Sequence, residues 1–362
     1  MKITLIGPVP PFKGGIAQFN HMLVENLKQD HSVQVLSWKK MYPSFIIKNQ
    51  PIDPENNDVI FLLDYAKPWT LYKAARKIKE HGSDIVIVTL ITPLASPIYW
   101  LLVKFIKSMA RARVIAICHN VLPHERTFVD KPLAKLFFRC VDGAVVHAKK
   151  EAESLRALSK IPVASAFLPI FPAPKGEHIP EILKSLKLKK NVILFFGFVR
   201  PYKGLKYLLE ALPFILRQVN LDLLVVGEFW QDKEEYTNLV ERLKIGENVK
   251  IIDKYVPDED MCWYFERTDV VVMPYISGTQ SGVIQTAYFF DKAVISTNVG
   301  GFGEAVVEGK TGYLVEPMNP EKLGEAVVRF YKEGRKGEFE ENVKRHKHNF
   351  SWEKYSKMLL SV

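Results

Sequence analysis

The alternation of short apolar runs with amphipathic helical patterns constrains the fold of this chain more than any other feature. Ile16–Leu27 carries its apolar residues at helical spacing, and Trp69–Lys79 does the same before Gly82. Short apolar runs between such helices predict parallel strands covered by helices. In the first half, strands are predicted at Lys2–Ile6, Val33–Leu36, Val59–Leu63, Asp84–Leu90, Val114–Cys118 and Gly143–His147. In the second half, they are predicted at Asn191–Phe196, Leu221–Val226, Val249–Ile251, Val270–Met273 and Ala293–Ser296.

The alternation starts again after a proline-containing junction at Pro169–Lys190. With 362 residues, 48% of them hydrophobic, the chain is long and apolar enough for two cores. We therefore predict an α/β protein with two doubly wound domains facing a cleft, covering residues 1–173 and 190–349. Ligands bind such sheets beyond the carboxyl ends of the strands, so candidate residues are sought there.

Cysteine usage and charge narrow the class of protein. Cys118, Cys140 and Cys262 are far apart and form no C-x-x-C pair, so neither a zinc knuckle nor a disulfide framework is predicted. This pattern favours a cytoplasmic location. Residues 1–190 carry 28 Lys and Arg against 15 Asp and Glu, so the basic charge lies in the N-terminal half. That charge suits a solvated surface, an anionic membrane or an anionic acceptor, whereas no module for nucleic acid is present.

One apolar stretch, from Ile85 to Ile106, is a candidate membrane span. Pro93 and Pro97 interrupt it, so we interpret it as a strand, a loop and a helix with Ser96 as its N-cap. The helix combines apolar residues with a basic end, which fits a membrane-surface helix and a buried helix equally well. The first apolar run of the chain is too short for a secretion signal.

Two candidate sites lie in the first half. Gly14 and Gly15 precede a helix, where they allow a ligand to approach backbone N–H groups or simply form a turn. His119 follows a predicted strand, where a neutral imidazole can bind a sugar hydroxyl or move a proton. A purely structural histidine is the main alternative. Metal binding with His124 is disfavoured because the two lie on a proline-containing loop.

Arg200 and Lys203 follow the strand that ends near Gly197, just before a helix that begins near Gly204. Two cations beside a helix N-terminus predict a diphosphate site, in which they would stabilise charge on a leaving group. The alternative is a pair of ordinary surface cations.

A loop of small polar residues between the strand Val270–Met273 and a helix is the next candidate. Free N–H groups at the helix start bind phosphate oxygens, and hydroxyl groups support them. Gln285, one turn inside the helix, is predicted to reach a ribose hydroxyl. The residues assigned to ligand binding are Ser277, Thr279, Gln280, Ser281, Gly282, Val283 and Gln285.

A glycine-rich segment, Gly300-Gly301-Phe302-Gly303, is followed by Glu304. We predict that its backbone packs close to a ligand and that Glu304 accepts hydrogen bonds from ligand hydroxyls. A helix-capping role for Glu304 is an equal alternative.

Taken in order, these motifs and the closing Phe350-Ser351-Trp352-Glu353 resemble retaining glycosyltransferase family 4, the group 1 glycosyl transferases. The resemblance covers the whole chain and is strongest from Asn191 to Glu316. It implies the GT-B fold: two Rossmann-like domains, with the acceptor side N-terminal and the donor side C-terminal. It also implies that the last helix, residues 350–362, packs back on the first domain.

The resemblance assigns roles residue by residue. Arg200 and Lys203 match the diphosphate cations, and His119 matches the active-site histidine. Tyr255 and Val256 match the region beside the nucleotide base. The chain departs from the family where two glutamates, separated by seven residues, are usual. Those positions hold Ser277 and Gln285 here.

The predicted function is retaining transfer of a hexosyl group from a nucleotide sugar, such as a UDP- or GDP-sugar, to a saccharide or lipid-linked hydroxyl acceptor. No metal and no cofactor are expected. Assembly of polysaccharide, lipid-linked saccharide or glycolipid at the inner face of the cell membrane is the expected setting. A non-catalytic nucleotide-sugar-binding protein and a sugar-nucleotide epimerase are alternatives. A nicotinamide oxidoreductase is disfavoured because no G-x-G-x-x-G motif is present.

Overall fold

A computed structural model of the chain describes residues 1–12, 14–41, 58–122, 128–230 and 233–362. The described chain divides into two compact units. The first comprises Met1–Phe167 with Trp352–Val362, and the second comprises Leu168–Ser351. His124, considered above as a metal ligand, lies outside the described residues.

The first unit is a seven-stranded parallel sheet with helices between its strands. The strands are β1 (Lys2–Ile6), β2 (Ser32–Lys40), β3 (Val59–Asp64), β4 (Ile85–Leu90), β5 (Arg113–Cys118), β6 (Gly143–Val146) and β7 (Val163–Ser165), in the order β3-β2-β1-β4-β5-β6-β7. The helices are α1 (Gly15–Leu27), α2 (Trp69–His81), α3 (Ser96–Met109), α4 (Asp130–Phe138) and α5 (Lys149–Leu158). All six residues of the central strand β4 are buried, which is why it reads as a continuous apolar run.

The second unit is a six-stranded parallel sheet. Its strands are β8 (Asn191–Phe196), β9 (Leu221–Val226), β10 (Val249–Ile252), β11 (Val270–Met273), β12 (Ala293–Thr297) and β13 (Gly312–Val315), in the order β10-β9-β8-β11-β12-β13. Its helices are α6 (Glu181–Ser185), α7 (Leu205–Leu216), α8 (Lys233–Arg242), α9 (Met261–Glu266), α10 (Gly282–Phe289), α11 (Phe302–Ala305), α12 (Pro320–Lys332) and α13 (Lys336–His346). In both units the strand order reverses beside the first strand, which confirms two doubly wound α/β sheets.

Two strands of the structure, β7 and β13, were not predicted from the sequence. β7 has three half-buried residues and lies at the edge of its sheet, so it lacks an apolar run. β13 begins at a glycine that follows Gly309, Lys310 and Thr311, and turn-forming residues of this kind indicate a loop.

The interrupted apolar stretch folds as a strand, a short 3₁₀ helix and a long helix. The 3₁₀ helix Pro93–Ala95 runs directly into α3, so Ser96 is the first residue of α3 and Ala95 is the cap. The predicted N-cap role of Ser96 is therefore wrong by one position. α3 buries Tyr99 and Leu102 on its inner face. Among the helices of the described ranges, none is long and apolar enough to cross a membrane.

The last helix, α14 (Trp352–Ser361), belongs to the first unit and packs against α1. The Phe19 ring lies 5.3 Å from the Trp352 ring and 5.4 Å from the Tyr355 ring, measured between centroids. The Ser356 hydroxyl donates to Asn26 Oδ1 at 2.6 Å. Through these contacts α14 becomes one of the helices that pack in the first unit, beside α1.

In the second unit, Gly204 is placed where no other residue fits without strain. Its φ is +70°, and a Cβ there would lie 1.9 Å from the Pro274 carbonyl oxygen. We predict that Gly204→Ala lowers the free energy of unfolding by about 2 kcal/mol or more, because left-handed strain alone costs about 1–2 kcal/mol. Urea unfolding of the full chain measures the change.

The matched control for this prediction is Gly337→Ala in α13. A Cβ at Gly337 meets nothing within 4 Å and the residue is helical, so alanine is expected to leave stability unchanged or raise it by up to about 1 kcal/mol. Equal unfolding curves for the two variants would show that the approach of Gly204 to Pro274 is unimportant.

Candidate functional site

The segment that follows β8, at the carboxyl edge of the second sheet, stays hydrogen-bonded to the segment that follows β9. Gly197 N donates to Val226 O and Val199 N donates to Glu228 O, each at 2.9 Å. The pairing of β8 with β9 therefore continues past the ends of both strands. Residues 200–204 follow at once and hold both predicted cations.

Lys203 is buried, with 8% of its surface exposed, in the 3₁₀ helix Pro201–Lys203. Its Nζ lies 5.5 Å from the centroid of the Tyr275 ring. A Cβ on Gly197 would lie 3.1 Å from this Nζ, so the glycine leaves room for the ammonium. Burial, with a smaller contribution from the Arg200 charge, lowers the pKa of Lys203 to about 8. In the described chain, Lys203 makes no ion pair with a carboxylate.

Arg200 is half-buried and stacks on an aromatic ring. Its guanidinium carbon lies 3.7 Å from the centroid of the Trp230 ring, within the range of a cation–π contact. Among the described residues, Arg200 also has no carboxylate within ion-pair distance. Within the described part of the chain, no carboxylate therefore neutralises either cation of the segment, and such unpaired cations suit an anionic ligand.

The small-residue loop after β11 packs directly on the cation segment. Ile276 N donates to Tyr202 O at 2.8 Å, and Gly204 touches the Pro274 carbonyl. The structure therefore joins two motifs that are more than 70 positions apart in the sequence. The neighbouring N-terminus of α10 adds a partial positive charge to this edge of the sheet.

The start of α10 has a side-chain cap. Ser281 Oγ accepts a hydrogen bond from Val283 N at 3.3 Å and lies 3.5 Å from the Tyr275 hydroxyl. The Val283 N–H and the Ser281 hydroxyl, both assigned to ligand binding above, are thus engaged with each other. Gly282 follows the cap, and a Cβ there would meet nothing within 4 Å.

Two glutamine side chains of this region are notable because their amides are buried. In the described part of the chain, neither the Oε1 nor the Nε2 atom of Gln280 or Gln285 has a hydrogen-bond partner. Gln285 is fully buried. A buried amide without a partner costs about 1–3 kcal/mol, so a polar ligand or a water molecule that hydrogen-bonds to either amide would be stabilising.

The glycine-rich turn after β12 closes on the same loop. Gly301 N donates to Thr279 O at 2.8 Å. Gly300 has a φ of +52°, and a Cβ there would lie 1.8 Å from the Gly278 carbonyl oxygen. Glu304 lies in the first turn of α11, and Ser277 lies in the loop; both are half-buried.

An aromatic surface follows the carboxyl ends of β8, β9 and β10. The Phe198 ring lies 5.4 Å from the Trp230 ring and 6.3 Å from the Tyr255 ring. Trp230 and Tyr255 are 56% and 60% exposed, whereas Val256 is buried. Tyr255 is therefore accessible to a ligand, and Val256 is a core residue beside it.

His119 lies in the first unit, directly after β5, and its Nε2 is buried without a partner among the described residues. Its ring centroid is 5.0 Å from that of Phe19 and 4.7 Å from that of His147. Burial lowers the pKa of His119 to about 4, so its imidazole is neutral at pH 7.

His147 is a polar residue that the sequence analysis missed. It is 1% exposed, and burial lowers the pKa of its imidazole well below the usual value. Cys118 pairs with Val146 in the sheet, so the two histidines follow neighbouring strands at the same level. Two predicted adjacent strands, each with a histidine at its carboxyl end, were the signal that could have found the pair.

Gly14 and Gly15 also lie in the first unit, at the start of α1. Gly14 has a φ of +118° and its carbonyl oxygen accepts from Ala17 N and Gln18 N, so it forms the turn into the helix. A Cβ on either glycine would meet nothing within 4 Å. For the described residues, no group of three or more His, Cys, Asp or Glu side chains is arranged to hold a metal ion.

The chain is similar in sequence to known proteins. Residues 190–333 match the family model of the glycosyl transferases group 1, which confirms the predicted resemblance to that group. The chain is 26% identical over 182 residues to D-inositol 3-phosphate glycosyltransferase of Corynebacterium efficiens, covering 48% of this chain and 43% of the relative. It is 29% identical over 185 residues to spore coat protein SA of Bacillus subtilis, covering 48% of each. The chain spans about half the length of the curated relatives it matches.

Solved structures resemble the chain over its whole length. Sucrose-phosphate synthase from Thermosynechococcus elongatus has a TM-score of 0.73 at 18% identity, covering 99% of this chain and 97% of the other. HepE of Anabaena, in complex with UDP, has a TM-score of 0.72 at 16% identity, covering both chains fully. At such low identity the likeness shows the fold, and the predicted GT-B fold is confirmed.

We predict that binding of a diphosphate, probed with UDP, weakens as the pH rises above about 8. The pKa of Lys203 is lowered to about 8, and a bound anion raises it, so binding above this pH requires uptake of a proton. Affinity is expected to fall by up to about tenfold per pH unit. Calorimetric titration between pH 7 and pH 10 measures the fall.

Lys203→Arg is the control for this pH dependence, since a guanidinium stays charged throughout the range. The variant should bind UDP with an affinity that does not change across pH 8. A fall of equal size in the variant would assign the dependence to another group.

Proposed function

We propose that this chain, whose second unit carries a glycosyl transferases group 1 domain, is a metal-independent glycosyltransferase that uses a nucleotide sugar as donor. The observation that carries the proposal is the pair Arg200 and Lys203, two cations without carboxylate partners in the described chain, at the carboxyl edge of the sheet. A nucleotide-sugar diphosphate supplies the negative charge that this pair lacks. The nearby N-terminus of α10 contributes in the same direction.

The proposed reaction is transfer with retention of the anomeric configuration, as in glycosyltransferase family 4. The acceptor hydroxyl oxygen attacks the anomeric carbon on the face from which the diphosphate leaves. The bond from that carbon to the phosphate oxygen breaks, the new glycosidic bond forms, and a phosphate oxygen takes the acceptor proton. Arg200 and Lys203 stabilise the charge that grows on the leaving diphosphate, and the protein supplies no covalent nucleophile.

The other assignments follow the same proposal. Tyr255, exposed beside the cation segment, would contact the nucleotide base, and Glu304 would accept hydrogen bonds from donor hydroxyls. His119, whose neutral imidazole presents a nitrogen without a partner among the described residues, would hydrogen-bond a sugar hydroxyl. Gln285 would need a local rearrangement to reach ribose, since its amide is fully buried.

We expect Arg200→Ala and Lys203→Ala each to lower turnover by about 10²- to 10³-fold, the usual effect of removing one group that stabilises transition-state charge. Release of UDP or GDP from a panel of nucleotide sugars, with and without saccharide acceptors, measures the loss. Lys206→Ala is the matched control, because Lys206 is exposed on α7 one turn away from Lys203. Near-normal turnover in both site variants would contradict the assignment.

The same assay separates the alternatives. A sugar-nucleotide epimerase would convert the donor without any acceptor, and a non-catalytic binding protein would bind the donor without releasing the nucleoside diphosphate. The anomeric configuration of the product, read by NMR, tests retention. Activity retained in the presence of a chelator tests metal independence.

Contact with an anionic membrane forms the second part of the proposal, and α2 offers its surface. Trp69 and Tyr72 are 58% and 49% exposed on this helix, beside the exposed cations Lys73 and Arg76. Exposed aromatic rings interleaved with cations are typical of helices that lie at a bilayer surface. The acceptor would then be a lipid-linked saccharide or a glycolipid.

We expect the protein to sediment with phosphatidylglycerol vesicles and not with phosphatidylcholine vesicles, because anionic lipids attract the α2 cations. The double variant Lys73→Glu with Arg76→Glu should abolish sedimentation. The matched control is Lys344→Glu with Arg345→Glu, two exposed cations on α13. Equal binding by both double variants would exclude α2 as the contact surface.

A further inference from the structure

The partner of Arg200 is an aromatic ring, although a carboxylate is the usual partner of an arginine. The guanidinium carbon lies 3.7 Å from the centroid of the Trp230 ring. A carboxylate would orient the guanidinium by neutralising it, whereas an aromatic face orients it and leaves its charge intact. A ring is therefore the better support for a cation that must receive an anion.

The backbone around Trp230 is held by a parallel bridge and by one further hydrogen bond. Trp230 N donates to Val199 O at 3.4 Å, in the segment that leads to Arg200. The preceding residue, Phe229, forms a parallel bridge with Val199, and its N–H donates to Asp253 Oδ1 at 3.0 Å. These contacts fix the backbone of Trp230 relative to both the cation segment and the end of β10.

The exposed state of Trp230 also requires an explanation. Trp230 is 56% exposed, although burial of such a side chain would be favourable. Its contacts are with the Phe198 ring, at 5.4 Å and in edge geometry, and with Arg200. An exposed tryptophan held by its backbone and stacked on a functional cation suits a role at the site better than a role in the core.

Lys203 repeats the arrangement. Its Nζ lies 5.5 Å from the centroid of the buried Tyr275 ring, and no carboxylate in the described chain pairs with it. The two cations of the site thus have the same kind of support, from rings on two different loops.

We propose that Trp230 is a positioning residue of the diphosphate site, which holds the Arg200 guanidinium in place through its ring face without neutralising it. This inference rests on the proposed function only in that the site binds a diphosphate. It assigns to Trp230 no contact with the ligand, and its effect on binding passes entirely through Arg200.

A double-mutant cycle tests the inference, with binding of UDP and of inorganic pyrophosphate measured by calorimetry at constant salt. Trp230→Phe keeps a ring face, Trp230→Leu keeps an apolar side chain without one, and Trp230→Glu introduces a carboxylate. Each Trp230 variant is made both in the chain that keeps Arg200 and in the Arg200→Ala variant. Circular dichroism and thermal unfolding of every variant verify that the fold is retained.

We expect Trp230→Phe to bind both ligands within about twofold of the unaltered chain, and Trp230→Leu to bind both about three- to tenfold more weakly. Trp230→Glu should be weaker still, because the carboxylate pairs with Arg200 and removes the charge. In the Arg200→Ala background, Trp230→Leu should have no further effect on either ligand.

Two results would overturn the inference alone. If Trp230→Leu weakens UDP but not pyrophosphate, and by the same factor without Arg200, the indole contacts the base directly. If Trp230→Leu and Trp230→Glu leave both affinities unchanged, the stack is surface packing. If the unaltered chain binds neither UDP nor pyrophosphate, the diphosphate site is absent and the proposed function fails with it.

Discussion

The approach of Gly204 to the Pro274 carbonyl oxygen is the contact on which the second unit's site depends. It brings the segment after β8 against the segment after β11, and the hydrogen bond from Ile276 N to Tyr202 O fixes their register. Through this contact two cations from one strand end meet a helix N-terminus from another. The turn at Gly300 and Gly301 then holds the same loop from its other side.

Among the described residues of the site, the two cations have no carboxylate as a partner. Arg200 and Lys203 are supported by aromatic rings, and Ser277 and Gln285 are uncharged at the positions where the family resemblance implies glutamates. The buried Lys203 ammonium loses hydration without gaining a counter-charge, and the Arg200 charge adds to this, so the pKa of Lys203 is lowered. A bound anion would restore that charge balance, so the proposed binding of a diphosphate and the lowered pKa of Lys203 have the same physical origin.

The sequence was informative where one physical signal dominates. Strands buried on both faces are nearly continuous apolar runs, so β4 and β9 were predicted within a residue or two, while the half-buried edge strand β7 was not. Arg200 and Lys203 were selected as candidate site residues because they follow a predicted strand.

The aromatic partners of these cations were not predicted, because Trp230 and Tyr275 come from other loops and no local pattern indicates a stack between residues so far apart. His147 was missed for a related reason, since only the pairing of β5 with β6 brings it to His119.

The first unit is made from two separated pieces of the chain, and the second from one continuous piece. Tyr355, on the last helix, stacks on His147 at 5.8 Å, so this part of the first unit is assembled from residues more than 200 positions apart. During synthesis, the second unit can fold as soon as its own residues have left the ribosome. The face of α1 that binds α14 stays uncovered until α14 emerges, and loss of Trp352–Val362 would remove the Trp352 and Tyr355 rings from Phe19 while leaving the second unit's chain whole.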